Sequence, residues 1–198
     1  MSEFARKVPR QRRSRETVDT LLEAAAQMFT REGLATTTNR IAERAGLSVG
    51  TLYQYFPNKH ALLRAIAERH LAGAAVRLDA VFVELRATRP EFDDTMQAIL
   101  EAVVDLHLDR PALHALLHRV APRLPDEVAA LQAFEDHLVA EVAFHLERCG
   151  RGGEDPLYLA RTLVHAIDAH LHRVLTRHRI DTGALMLLAR QIISTPTT

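Results

Sequence analysis

The placement of proline constrains this chain more than any other single feature. Its eight prolines, at positions 9, 57, 90, 111, 122, 125, 156 and 196, stand between periodic segments and never inside them. That is how helices are punctuated, because an interior proline removes a backbone donor and clashes with the preceding turn. No stretch alternates apolar and polar residues for long enough to make a strand, so the chain reads as all-α. Helices are predicted from about Glu16 to Glu32, Thr38 to Ala45 and after Ser48 to Phe56. A long helix follows Asn58 with a bend near Gly73, and others span 92–109, 111–121, 126–149, 156–178 and 182–194. The glycine-rich run from Gly150 to Pro156 reads as a linker, the most mobile internal segment.

With 47% hydrophobic residues, 198 residues can bury one or two cores. No apolar run approaches the ~20 residues that cross a bilayer, so a cytoplasmic protein without membrane contact is expected. One cysteine, Cys149, allows no internal disulfide. The formal net charge of zero hides a split, for residues 1–15 carry six basic side chains against Glu3 alone. Such an arm suits a polyanionic partner at one end of the chain, although a solvated basic tail is equally ordinary.

The informative stretch runs from Thr37 to Lys59, two short helices joined by a turn centred on Gly46. Glycine there can enter the left-handed conformation without a Cβ clash. Ala42 and Ala45 are small where the helices cross, and Ile41, Leu47, Leu52 and Phe56 can face inward. Val49, Gly50, Thr51, Tyr53 and Gln54 then face outward near the start of the second helix, the part of a helix-turn-helix that reaches base edges in a major groove. A hairpin built only for packing would carry Glu and Lys there, whereas no acidic residue occurs from Ala45 through Lys59.

This stretch resembles the DNA-binding domain of the TetR/AcrR family of bacterial repressors, whose motif reads T-x-x-I-A-x-x-A-G-(V/L)-S-x-G-x-L-Y-x-(Y/H)-F-x-x-K-x-x-L. The chain fits it from Thr38 to Leu62. The resemblance implies a basic arm (1–15), a three-helix DNA-binding head (16–60) and a C-terminal helical body (61–198) that binds ligand and dimerises. It also implies a homodimer, paired through the last two helices, that leaves a palindromic operator in double-stranded DNA when a small, mostly apolar effector binds. Carried over by position, Thr38, Asn39 and Arg40 open the first motif helix, where phosphate is touched. Ser48, Val49, Gly50, Thr51, Tyr53 and Gln54 occupy recognition positions, and Tyr55 and Lys59 phosphate-binding ones. No catalytic residue, cofactor or metal is expected, and no residue is assigned to the effector.

The body offers weaker signals. Ala160, Leu163, Val164, Ile167, Leu171, Val174 and Leu175 form one stripe, and Leu185, Met186, Leu188, Ala189, Ile192 and Ile193 cover much of the final helix. Such breadth is expected to bury against both its own core and a partner. Leu106, His107, Leu116, Phe134, Val142 and Phe144 are candidates to line an effector pocket. All eleven histidines lie at or after His60. His114 and His118, with His107 nearby, and the set His165, Asp168 and His172 have spacings that permit metal binding, but histidines bonded to water or ligand are the expected state. An all-α enzyme would need a nucleophile–base pair, and none is visible. An interaction scaffold would show dimerisation without salt-sensitive DNA binding.

Overall fold

The computed structural model describes residues 12–120, 125–174 and 181–193. Among them the regular elements are all helical: α1 (Arg12–Glu32), a 3-10 turn (Gly33–Ala35), α2 (Thr38–Arg44), α3 (Val49–Tyr55), α4 (Lys59–Thr88), α5 (Phe92–Asp109), α6 (Pro111–Val120), α7 (Pro125–Arg148), α8 (Pro156–Ala169) running into a π-helical turn (His170–Val174), and α9 (Thr182–Ile192). The all-α reading holds, and proline or its neighbour opens α5, α6, α7 and α8 as the sequence predicts. The arm up to Gln11, the predicted helical residues Leu175–His178 and Ser194 lie outside the described residues.

Two local expectations change. α1 begins by Arg12, so Arg12, Arg13 and Arg15 are helical, with Arg12 paired to Glu16 one turn on at 3.1 Å. Ser14 therefore lies inside the first turn of the helix. Gly73 does not interrupt α4, which is one 30-residue helix.

The chain packs as two compact units. One lies within Met1–His70 and Pro111–Val128, the other within Leu71–Arg110 and Ala129–Thr198. In the first, the head, Leu21, Ala25, Phe29, Ile41, Leu52, Phe56 and Leu62 are almost completely buried. Leu113, Leu116 and Leu117 of α6 join this core. Leu116 thus departs from its expected place on the effector lining, because three leucines on one face of α6 pack with the head cluster.

The second unit, the body, is a core of α4, α5, α7, α8 and α9 built on Leu78, Phe82, Met96, Leu100, Leu146, Leu163 and Leu185. Its helix ends are well specified. Asp155 caps α8 by accepting from the Tyr158 N–H at 3.0 Å, with Pro156 at the first helical position, and Asp181 accepts from the Gly183 N–H at 3.0 Å. The run from Gly150 does not separate the units, since both its flanks lie in the body. Gly150 takes φ +66°, its N–H donates to Glu147, the Arg151 N–H donates to Leu146, and the Arg151 guanidinium lies 4.9 Å from the centre of the Phe92 ring. This is a helix C-cap with its orphan carbonyls satisfied.

Candidate nucleic-acid interface and the polar centre of the body

The head builds its outward face from short helices that are capped by their own sequence. Thr37 accepts from the Arg40 N–H at 3.4 Å to open α2, and Ser48 accepts from the Thr51 N–H at 3.0 Å to open α3. Gly46 takes φ +67° in the turn between them, the left-handed value a side chain would strain. On the inner side Ile41 and Leu52 are fully buried, and Ala42 nearly so. That leaves Asn39, Arg40, Val49, Gly50, Tyr53 and Gln54 exposed on the other side, with Thr38 and Thr51 half-buried.

Several of these side chains are held by one another. The Thr38 and Tyr53 hydroxyls lie 2.9 Å apart, tying α2 to α3, and Ser48 Oγ lies 2.9 Å from Thr51 Oγ1. Arg40 pairs with Glu32 at 2.6 Å yet keeps about half of its side chain in solvent (54%). The result is a face with two hydroxyl pairs, an amide at Gln54 and an apolar Val49, a mixture that can meet base edges and a thymine methyl.

Two expected phosphate contacts sit differently. Tyr55 is 6% exposed and belongs to the core, its hydroxyl donating to Ser14 Oγ at 3.4 Å. The helical repeat explains this: Tyr55 lies three residues after buried Leu52, on the same inward face. Lys59 Nζ donates to the Leu34 carbonyl at 2.6 Å and the Thr36 carbonyl at 3.4 Å, closing the turn that joins α1 to α2. No sequence motif announces that bond, which spans more than twenty residues.

The body places polar groups inside. Thr95 and His145 are buried to within 1%. Arg148 joins them, donating from Nη2 to Thr95 Oγ1 at 2.8 Å and from Nε to His145 Nδ1 at 3.4 Å, while Thr95 donates to the Pro90 carbonyl. Because Nδ1 accepts, the neutral ring carries its proton on Nε2, and that buried atom has no hydrogen-bond partner. Phe82 stacks on His145 with centroids 6.2 Å apart, and Phe144 meets its edge at 5.1 Å. Burial, then the Arg148 charge, lowers the His145 pKa from its ordinary 6.5; Glu141 opposes the shift and Arg86 adds to it. Glu141 holds Arg86 in a bidentate pair at 2.9–3.1 Å, and that guanidinium lies 3.7 Å from the Phe144 ring centre. Of the expected lining residues, Phe144 touches this centre. His145, Thr95 and Arg148 were not anticipated, because their relation crosses from α5 to α7.

Comparison with known proteins identifies the family of both units. A model of the bacterial regulatory proteins of the tetR family matches residues 21–66, and a model of the tetracyclin repressor-like C-terminal domain matches residues 92–193. The uncharacterized HTH-type transcriptional regulator YvkB of Bacillus subtilis is 40% identical over 57 residues, 28% of this chain and only 30% of that protein's length. Nucleoid occlusion factor SlmA of Actinobacillus pleuropneumoniae serotype 5b is 29% identical over 144 residues, covering 70% of this chain and 69% of that one. Among solved structures, a TetR-family regulator from Mesorhizobium loti superposes with TM-score 0.69 at 19% identity, covering 92% of this chain and 95% of that one. A TetR-like regulator from Rhodococcus sp. RHA1 gives 0.67 at 24% identity, covering 94% and 96%. These likenesses speak for the fold.

Proposed function

Because the chain belongs to the TetR family of DNA-binding transcriptional regulators, we propose that it is a homodimeric repressor that leaves a palindromic operator when a small, mostly apolar effector binds the body. The observation that carries the reading is the head's outward face. Thr38, Asn39, Arg40, Ser48, Val49, Gly50, Thr51, Tyr53 and Gln54 are the contact residues proposed for DNA, with Tyr55 and Lys59 acting through the fold of the head. Two such faces in a dimer would enter successive major grooves about 34–36 Å apart.

Dimerisation is proposed through α8 and α9. Most of the apolar residues foreseen there, including Leu163, Leu171, Leu185 and Ala189, fill the chain's own core. Leu157 (50% exposed), Tyr158 (70%) and Leu187 (61%) remain for a partner. Leu187→Glu is therefore the informative variant, since a charge at Leu171 would disrupt the body itself. For the effector, His145 Nε2 is an orphan buried donor in an aromatic setting, and such a group costs about 1–3 kcal/mol unless an acceptor meets it. An apolar or aromatic molecule with one carbonyl or carboxylate oxygen would complete it.

Selection of bound fragments from the host's genomic DNA tests the whole reading. The expected result is a small set of palindromic sites, bound with an affinity that falls steeply with salt. Gln54→Ala is expected to relax preference at particular base pairs. Salt-independent binding, or no enriched fragment, would sink it. Effector coupling is tested by two titrations, against free and operator-bound protein, since a true inducer must bind the second more weakly by the factor it lowers DNA affinity.

A further inference from the structure

Two histidines far apart in sequence bring their Nε2 atoms together in the body. His107 on α5 and His172 in the π turn after α8 face each other at 3.2 Å, with ring centroids 4.9 Å apart. Three observations show that this pair is arranged as donor atoms. His107 Nδ1 lies 2.7 Å from the Val103 carbonyl. A carbonyl only accepts, so the neutral ring carries its proton on Nδ1 and turns the bare Nε2 towards His172. This backbone bond is the kind that orients a metal-ligating imidazole.

The second observation is Asp168, whose Oδ1 lies 3.4 Å from the same His172 Nε2. Its carboxylate is about half exposed, while the His172 side chain is 11% exposed, so the ring is held and the carboxylate is free to turn onto a shared ion. The third is the backbone. His172 sits in a five-residue π-helical stretch, His170–Val174. Such widened turns are rare and recur at functional sites, because they rotate the following side chains out of α-helical register.

We propose that His107, His172 and Asp168 form a site for a borderline divalent ion of the zinc type. Geometry favours this class. At the ~2.0–2.1 Å bond length usual for zinc and imidazole, two nitrogens 3.2 Å apart subtend about 100° at the ion, near the tetrahedral angle. The Asp168 oxygen lies 3.4 Å from His172 Nε2 but not within 4.8 Å of the His107 nitrogen, so the half-exposed carboxylate must turn to join an ion held first by the two imidazoles. On binding, His172 moves its proton from Nε2 to Nδ1, so both Nε2 lone pairs meet the ion, and water completes the coordination. Imidazole with carboxylate selects zinc, cobalt, nickel or copper over magnesium or calcium, which prefer all-oxygen sites. Spacing along the chain conceals the site, because it joins one histidine from each of two separate sequence groups. The ion would tie α5 to the π turn.

The test uses the full chain without an affinity tag, cleared of metal by chelation. Zinc is titrated against a chromophoric competitor, and cobalt is added separately for its visible spectrum. One zinc per chain is expected, with the strong visible bands of low-coordinate cobalt and a raised melting temperature. His107→Gln and His172→Gln should each weaken zinc by tenfold or more and abolish the cobalt bands. Asp168→Asn, at an exposed position that folding tolerates, should weaken zinc less. His165→Gln, exposed on the same helix, should leave affinity unchanged. The proposal is overturned if wild type binds no zinc, if cobalt stays octahedral, or if both histidine variants bind as wild type does. DNA binding is read in the same samples, so a failed metal site and a failed regulator reading are told apart.

Discussion

The head and the body differ in where most of their polar side chains make bonds. In the head, the core is Leu, Ile, Ala and Phe with Met28 and Tyr55, Thr36 is the buried polar residue among those described, and most polar bonds lie at the rim: Thr37 and Ser48 cap helices, Thr38 meets Tyr53, and Lys59 closes a turn. In the body, polar groups lie within the core, with Thr95 and His145 buried and His107 against a nearly buried His172. A surface meant to meet a hydrated polyanion needs its hydroxyls outside and its shape fixed. On the proposed reading the body answers a small molecule or ion, and dry donors suit that role, because low dielectric makes each one count for more.

Four measurements would break or sharpen that contrast. Leu52→Ala is expected to have the largest effect, removing about 2–5 kcal/mol of head stability by opening a cavity at a site with no exposure. Chemical denaturation followed by tyrosine fluorescence would read it, and a loss below about 1 kcal/mol would mean the head core is looser than its burial implies.

The body's distinguishing test is pH. A histidine held neutral by burial binds fewer protons folded than unfolded, so stability falls as pH drops below the ordinary 6.5 and levels off once pH passes the lowered folded value. One such group gives a slope of at most about 1.4 kcal/mol per pH unit. His145→Phe should remove that part of the slope in matched denaturation curves. An unchanged slope would show that His145 does not titrate with folding.

Ser48→Ala should cost about 1 kcal/mol and weaken operator binding, because an N-cap sets where α3 begins. The smallest effect is expected at Lys59. Lys59→Met should lower stability by less than about 1 kcal/mol, since its bonds are solvent-facing. The slope of DNA affinity against salt should stay the same. A slope reduced by about one unit would return Lys59 to the phosphate backbone, as the motif position alone implies.

Much of this protein is local and therefore legible in its residues. Proline placement and the caps Ser48, Asn58, Asp155 and Asp181 mark where helices begin, and the positive φ of Gly46 follows from its place in the turn. The inward set Ile41, Leu52 and Phe56 follows from a 3.6-residue repeat, because burial on a short amphipathic helix depends on spacing along one chain segment. What only the tertiary structure decided involves partners brought together from distant segments. Lys59 bonded to Leu34, Tyr55 turned to Ser14, α6 packed with the head, Arg148 between Thr95 and His145, and His107 against His172 are all of that kind. Each depends on how helices cross, which is set by the packing of whole faces, and side-chain spacing along one helix carries no record of what another helix brings to it.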